Sequence, residues 1–415
     1  MFRHTSSMLT AADARFLLDD SGAQAIAMAP GLELEALPNG VRVIEADEIA
    51  RAITSGKTIP YADTAADDPA FLIYTSGTPA KPKGVLHAQR SAFGRRPMYE
   101  GWYGITSDDR MLHAGAFNWT YTLGTGLMDP WAAGATALIP EPGTDASRLP
   151  LLLKRHDATM FAAAQGVYRK FLKDGTPLDL PKLRHGLSAG EKLADTIRDA
   201  WKTATGTEIF EAYGMSECST FISAAPGHQA PRGTLGYPQP GRRVAIVGED
   251  GPVPLGEEGT IAVHRSDPGL MLGYLGAPEA TARKFRGDWF LTGDQGAMDD
   301  TGAITYLGRA DDMMNAGGFR VSPMEVEAVL NAHPGILQTA VTDIEVKADA
   351  RLIMAFYTGP EPLPEAELHA FAKERLAGYK CPRGFFHLDA LPTGANGKIL
   401  RRELRPIYKA LHGQA

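Results

Sequence analysis

The chain has 415 residues, 44% of them hydrophobic, and a formal net charge of −7 from 42 Lys and Arg against 49 Asp and Glu. That length and apolar content allow a sizeable core divided over two or three domains, while dispersed cations without a basic stripe exclude a protein that tracks a phosphate backbone. Two distant cysteines, Cys218 and Cys381, fit a reducing cytoplasm better than a disulfide scaffold, and neither a membrane-spanning apolar run nor a signal pattern is visible.

From 68 to about 213, short apolar runs alternate with longer amphipathic ones. FLIYTS (71–76), RMLHAG (110–115), ATALIP (135–140), ATMFAAA (158–164), HGLSAG (185–190) and TEIFEAYG (207–214) read as strands. Helices are expected between them, among them 145–156, 167–173 and 191–203. Such alternation predicts an α/β domain with a parallel-rich sheet, whose ligands gather at the carboxyl ends of the strands. After Gly214 the segment GTLGYPQPGRRVAIVGEDGPVPLGEEGTIAVH breaks short strands with Gly and Pro, which predicts a small antiparallel β subdomain over about 215–310. From 311 to 415 follow a helix (MEVEAVLNAHP), two strands, a second helix, a strand (FFHLD), a Gly-rich loop and a last helix. That order predicts a separate α+β domain joined by the RADDMM linker.

Five segments carry chemistry. YTSGTPAKPKG (74–84) follows an apolar strand; Thr75, Ser76, Gly77, Thr78, Lys81 and Lys83 suit a loop that wraps phosphate oxygens with N–H, hydroxyl and ammonium donors. It lacks the Walker spacing, and an ordinary turn-rich loop shares its composition. EAYGMSE (211–217) offers Tyr213 for stacking, Gly214 for close approach and Glu217 for a magnesium ion between phosphates. WFLTGD (289–294) and GRADDMMNAGGFRVSP (308–323) supply Asp294 and Arg309, suited to ribose hydroxyls or phosphate, although a turn aspartate and a surface arginine look the same in sequence. PTGANGKILRREL (392–404) places Lys398 on a Gly-bearing loop before a helix, where a solvated lysine is the commoner case.

Taken together, in this order and spacing, these segments resemble the adenylate-forming superfamily of acyl-CoA synthetases, peptide-synthetase adenylation domains and luciferases. The resemblance covers the chain from about Leu9 onward; SAGEKL (188–193) and DDMMNAGGFRVSPMEVEAVL are most similar to acyl- and aryl-CoA ligases of the benzoate-CoA ligase kind. It implies a large AMP-binding domain hinged to a small mobile C-terminal one. It also implies ATP, Mg²⁺ and CoA as partners of a carboxylic acid, with an acyl-adenylate formed first and a thioester second. By matching position, Thr75, Ser76, Gly77, Thr78 and Lys83 would line the triphosphate, Glu217 would ligate Mg²⁺, and Tyr213 would stack on adenine beside Gly190 and Glu191. Asp294 and Arg309 match ribose contacts, and Lys398 matches the lysine bridging carboxylate and α-phosphate. Asp311 matches the hinge, and Gly317, Gly318 and Arg320 match the loop presented to the pantetheine thiol. Trp119, Ala164, Gln165, Ala189, Gly214 and Met215 are acid-pocket candidates, and Gly214, where acetate-specific relatives carry Trp, is expected to leave room for a longer chain or a ring. Trp119 is equally a core residue.

The chain departs from the family pattern in three places. Pro79-Ala80 replaces Thr-Gly in the phosphate loop, removing a hydroxyl and an N–H. Thr393, Gly394 and Asn396 stand where Arg, Thr and Thr are usual. LTAADARFLLDDSGAQAIAM resembles a part that normally follows an αβ segment, which predicts an open sheet edge needing cover. Two further readings stay open: an adenylation domain that loads a carrier protein, and a degenerate non-catalytic homologue. No nucleic-acid or membrane partner is expected, and an oligomer of identical chains is left open.

Overall fold

The computed structural model describes residues 11–28, 37, 39–75, 82–115, 117, 120–141, 143–173, 177–310, 312–316, 319–347, 350–394 and 399–411. They fall into two compact units: Met1–Gln229 with Gln239–Arg242 and Arg265–Phe285, and Ala230–Pro238 with Arg243–His264 and Arg286–Ala415. The second unit thus groups the β-rich segments after 229 with the C-terminal residues.

The first unit opens with helix Ala11–Ser21, the parallel pair β1 (Ala25–Ala27) and β2 (Arg42–Ile44), and a helix Ala46–Thr54 with no buried residue. Next come β3 (Pro69–Thr75) and β4 (Lys83–Ala88), antiparallel, with a short strand Gly273–Tyr274 on the far side of β4. The FLIYTS run therefore belongs to a separate three-stranded sheet and not to the parallel series expected for it. Only seven residues separate Thr75 from Lys83, too few for the crossover that a parallel pair needs, so β3 and β4 pair antiparallel.

The main sheet of this unit contains β5 (Arg110–His113), β6 (Thr136–Leu138), β7 (Met160–Ala163), β8 (His185–Ala189), β9 (Glu208–Met215) and β10 (Ser219–Ser223) in the order 6-5-7-8-9-10. All pairings are parallel until β10 turns back against β9. MFAA and HGLSA are buried at every position, as central parallel strands covered on both faces must be. Helices Leu149–Arg155, Gln165–Phe171 and Asp195–Thr205 cover one face through Leu153, Tyr168, Ile197 and Trp201, packed on Phe161 and Ile209. The four-residue spacing of Ile197 and Trp201 is what turns helix Asp195–Thr205 inward. Burial of a side chain such as Phe161 contributes about 1.5–3 kcal/mol.

At the start of β10 lies a buried charge cluster. Arg95 donates from Nε and Nη2 to Asp129 Oδ1 and Oδ2 at 2.8 and 2.6 Å, and the Tyr103 hydroxyl donates to Oδ2 at 2.8 Å. Burial opposes the charge on Arg95, and the adjacent Asp129 more than restores it, so the guanidinium stays protonated. Gly124 is required beside it: a Cβ there would lie 2.7 Å from Arg95 Nη1.

In the second unit, strands Val244–Val247, Glu258–His264, Trp289–Met298, Ile304–Arg309 and Thr234–Pro238 pair antiparallel in that order, as the Gly- and Pro-broken sequence predicts. A hairpin of Met314–Ala316 and Phe319–Val321 precedes helix Pro323–Leu330. Strand Ala350–Thr358 then pairs antiparallel with Gln338–Lys347 and parallel with Gly384–His387. Its side chains alternate between two cores: Ile353, Ala355 and Tyr357 pack with Val326, Leu330 and Leu368, whereas Met354 and Phe356 pack with Ile344 and Leu404. Both cysteines are free and buried. Among the described residues, no helix is long and apolar enough to cross a membrane.

Candidate functional site

Three loops leave the carboxyl ends of adjacent parallel strands. Register pairs Ala163 with Ser188 and Ala189 with Ala212, so Ala164, Gly190 and Tyr213 each lie just beyond neighbouring strand positions. Side chains stitch these loops together. Gln165 Oε1 accepts the Ala194 N–H at 2.6 Å, and Glu191 Oε1 accepts the Gly166 N–H at 3.4 Å. Glu211 takes the Leu193 N–H on Oε1 at 2.9 Å and Arg198 on Oε2 at 3.1 Å. Burial pushes the Glu211 carboxyl up to about 7 against the pull of those two donors. Gln165, an acid-pocket candidate by sequence, thus spends its amide oxygen on holding the SAGEKL segment, and Ala189 is buried. Gly190 adopts φ +96°. The half-buried Tyr213 ring meets Phe221 edge-on at 5.3 Å across the β9–β10 hairpin.

The turn of that hairpin, Met215 to Ser219, carries Glu217 and is gripped from several elements. Cys218 N–H closes it onto Met215 O at 3.2 Å, and Met271 N–H reaches Glu217 O at 2.8 Å. His87 Nε2 donates to Ser216 O at 2.8 Å, Thr120 Oγ1 lies 3.3 Å from Ser216 Oγ, and Arg95 Nη1 donates to Ser219 Oγ. Burial lowers the His87 pKa to about 4, so the ring is neutral at pH 7, and with Nε2 as the donor its Nδ1 is an acceptor. Ser219 sits at φ +62°, a left-handed conformation costing a non-glycine residue about 1 kcal/mol or more, which the surrounding bonds sustain.

Glu217 itself is buried and accepts the Tyr274 hydroxyl on Oε1 at 2.7 Å. Its Oε2 makes no hydrogen bond among the described residues. On the next sheet, Thr75 and Lys83 pair across β3 and β4, one on each side of the 76–82 stretch. The Lys83 ammonium lies 5.4 Å from the centre of the Tyr274 ring. No group of three His, Cys, Asp or Glu among the described residues can cage a metal. One buried carboxylate with an oxygen to spare fits magnesium, which keeps its waters and takes most of its protein contact through one or two carboxylates and substrate phosphates.

In the second unit Asp294 and Arg309 face each other across two strands, with Oδ1 and Nη1 3.1 Å apart. Arg401 forks onto buried Glu327 at 2.8 and 2.6 Å, and its Nη1 lies 3.6 Å from Asp312. The expected residues Ser76, Gly77, Thr78, Trp119, Asp311, Gly317, Gly318 and Lys398 lie outside the described residues. Arg320 pairs with Asn315 in its hairpin backbone. Sequence reasoning missed Tyr274, His87, Arg95 and Arg401. Tyr274 alone had a local signal, the GY of MLGYLGAPEAT (271–281).

The expectation that Gly214 leaves open room is corrected. A Cβ on Gly214 would point into the backbone of β10, 2.7 Å from the carbonyl carbon of Ser219 and closer still to Thr220. The glycine is required by the approach of two strands. Gly214→Ala is therefore expected to destabilise the fold by about 1–3 kcal/mol through overpacking, read as a lower chemical-unfolding midpoint. An unchanged midpoint would show that β10 yields freely.

Residues 4–275 match the family model for the AMP-binding enzyme, and residues 325–398 match that for the AMP-binding enzyme C-terminal domain. The chain is 31% identical to the benzoate–CoA ligase of Thauera aromatica over 96% of this chain and 80% of that protein. It is 33% identical to the mitochondrial acyl-coenzyme A synthetase ACSM5 of Homo sapiens over 82% of this chain, and spans 61% of that relative's length. Among solved structures, the benzoate CoA ligase from Burkholderia xenovorans LB400 superposes with a TM-score of 0.80 at 30% identity, over 97% of this chain and 83% of that one. ATP-bound MatB from Rhodopseudomonas palustris gives 0.87 at 26% identity, over 100% and 84%. With the family model spanning most of the first 275 residues and these relatives beside it, the chain belongs to the AMP-binding enzyme family, in the acyl- and aryl-CoA ligase branch of the adenylate-forming superfamily.

Proposed function

We propose that this chain activates a medium-sized aliphatic or aromatic carboxylic acid with ATP and passes the acyl group to the thiol of CoA. The observation that carries the reading is Glu217, buried on an over-tied turn with one carboxylate oxygen uncommitted, in a chain of this family. In the first step a carboxylate oxygen of the acid attacks the α-phosphorus of ATP, the bond to the bridging oxygen breaks, and pyrophosphate leaves. In the second step the thiol sulfur, having lost its proton, attacks the acyl carbon and AMP departs with its phosphate oxygen.

The protein's part is positioning and charge placement. Thr75, Ser76, Gly77, Thr78 and Lys83 take the triphosphate, Tyr213 the adenine beside Gly190 and Glu191, and Asp294 with Arg309 the ribose. Magnesium bound at Glu217 would neutralise charge on the phosphate oxygens. Lys398 bridges the carboxylate and the α-phosphate, and Asp311 is the hinge across which Gly317, Gly318 and Arg320 are brought to the thiol. The relatives named for benzoate and for acyl groups support the acid class.

The test is pyrophosphate release by the purified chain, with Mg-ATP, against short, medium, branched and aromatic acids. Acid-dependent pyrophosphate is expected in every case where a substrate is met, with AMP and thioester appearing together once free CoA is added. Acyl transfer to a carrier protein but not to CoA would replace the acceptor, and absence of calorimetric Mg-ATP binding at millimolar nucleotide would sink the catalytic reading.

A further inference from the structure

Among the described residues, Tyr274 contacts both Glu217 and Lys83, the carboxylate and the ammonium to which the proposed nucleotide chemistry assigns roles. Its hydroxyl donates to Glu217 Oε1 at 2.7 Å, and its ring lies 5.4 Å from Lys83 Nζ, inside the range of a cation–π contact. Among the described residues Lys83 and Glu217 make no ion pair with each other; the phenol contacts each instead. We propose that Tyr274 is a positioning residue for Glu217, fixing which carboxylate oxygen faces the magnesium-bound phosphates and keeping that carboxylate from collapsing onto Lys83. The proposal rests on the ATP-dependent reading above.

The segment that carries Tyr274 is built for this. Tyr274 pairs with Val85, two residues along β4 from Lys83, so the ring and the ammonium share one sheet. Tyr274 N–H donates to Thr281 Oγ1 at 2.9 Å, and the Thr281 hydroxyl donates to Ala277 O at 3.1 Å, which locks the turn that follows. Three residues upstream, Met271 N–H holds the main-chain oxygen of Glu217 at 2.8 Å. One short segment thus grips both the backbone and the carboxylate of the same residue. With Oε1 occupied by a phenol donor, Oε2 is the oxygen available to a cation. Partners that orient a metal-ligating carboxylate from behind typically set 10–100-fold in metal affinity. The lysine gains as well, since a ring face attracts its charge without consuming it as a carboxylate would.

The experiment is Tyr274→Phe in the full chain, which keeps the ring under Lys83 and removes only the hydroxyl. Calorimetric ATP binding is measured across magnesium concentrations, AMP binding in metal-free buffer, and thermal unfolding in parallel. The magnesium concentration giving half-maximal ATP binding is expected to rise about tenfold or more, with AMP affinity and melting unchanged, and with no further rise when Tyr274→Phe is added to Glu217→Gln. A wild-type magnesium midpoint in Tyr274→Phe overturns the inference alone. So does an equal loss of AMP binding, a variant that fails to fold, or an effect that adds in full to Glu217→Gln. If the wild-type chain itself binds no Mg-ATP, the functional reading and this inference fall together.

Discussion

Lys398→Ala is expected to lower acyl-adenylate formation by roughly a hundredfold or more, the scale of removing one positioned charge donor, while thioester formation from synthetic acyl-adenylate keeps its rate. The lysine stands in a segment whose flanks are firmly held. Thr393 and Ile399 bridge antiparallel, and Leu400 N–H reaches Pro392 O at 2.8 Å, so both ends of the stretch meet at its base. Just beyond, Arg401 is forked onto Glu327, itself buried and also accepting the Val341 N–H at 2.9 Å. Under the proposed mechanism, the lysine's charge is needed where the α-phosphorus becomes pentavalent. Only the first half-reaction develops that charge. Each half-reaction is assayed separately, with melting curves to confirm folding. Equal loss of both in a folded variant would remove Lys398 from its role, and equal retention of both would do the same.

The second large effect is one of stability. Asp129→Ala is expected to cost about 3–5 kcal/mol, because it leaves the Arg95 guanidinium buried without its counter-charge. The side chains of Arg95 and Asp129 are 8% and 1% exposed, so water cannot replace the lost carboxylate. One further donor loses a partner with it: the Tyr103 hydroxyl loses Asp129 Oδ2, although Thr125 Oγ1 at 2.9 Å remains beside it. Because Arg95 also holds Ser219, the disturbance reaches the Glu217 turn. The check is the denaturant midpoint of Asp129→Ala against that of Arg95→Leu/Asp129→Leu. The double variant should recover much of the loss, since an apolar pair of similar volume needs no solvation. A single variant as stable as the parent would mean that the pair is hydrated in solution.

Much of this architecture was legible in sequence where one local pattern decides it. Buried central strands announce themselves as continuous apolar runs, and MFAA and HGLSA fall within the expected segments. Strand Ala350–Thr358 announces itself in the same way, as the continuous apolar run LIMAFY, because a core packs on each of its faces. The YTSGTPAKPKG segment, by contrast, hid the strand at its far end: KGVLHA follows so many turn residues that β4 escapes notice, and with it the antiparallel pairing of β3. The helical stretch 120–132 was obscured by a wide turn over Gly124–Met128, which breaks the 3.6-residue period. Within the site, Tyr213, Gly214 and Glu217 could be found because they sit in one heptapeptide. Tyr274 is 57 positions from its partner Glu217, and Arg95 is 34 from Asp129. Contacts at that range leave no periodic trace in a single sequence. Gly214 was seen for the wrong reason, since a missing side chain reads alike whether it makes way for a ligand or for a neighbouring strand.

The turn from Met215 to Ser219 is tied by β4, by Arg95, by Thr120 and by the 271–274 segment, and this redundancy has a genetic corollary. Losing one tie leaves the others to hold the geometry, so a scan of single substitutions for foldedness would score several of these contacts as near-neutral. Losing two that share the turn removes more than the sum of their separate effects, because residues coupled through one backbone segment are not additive. Robustness to single mutations and strong pairwise epistasis are therefore the same property of this hairpin, and a pairwise library over His87 and Thr120 would expose constraint that one-at-a-time mutagenesis conceals.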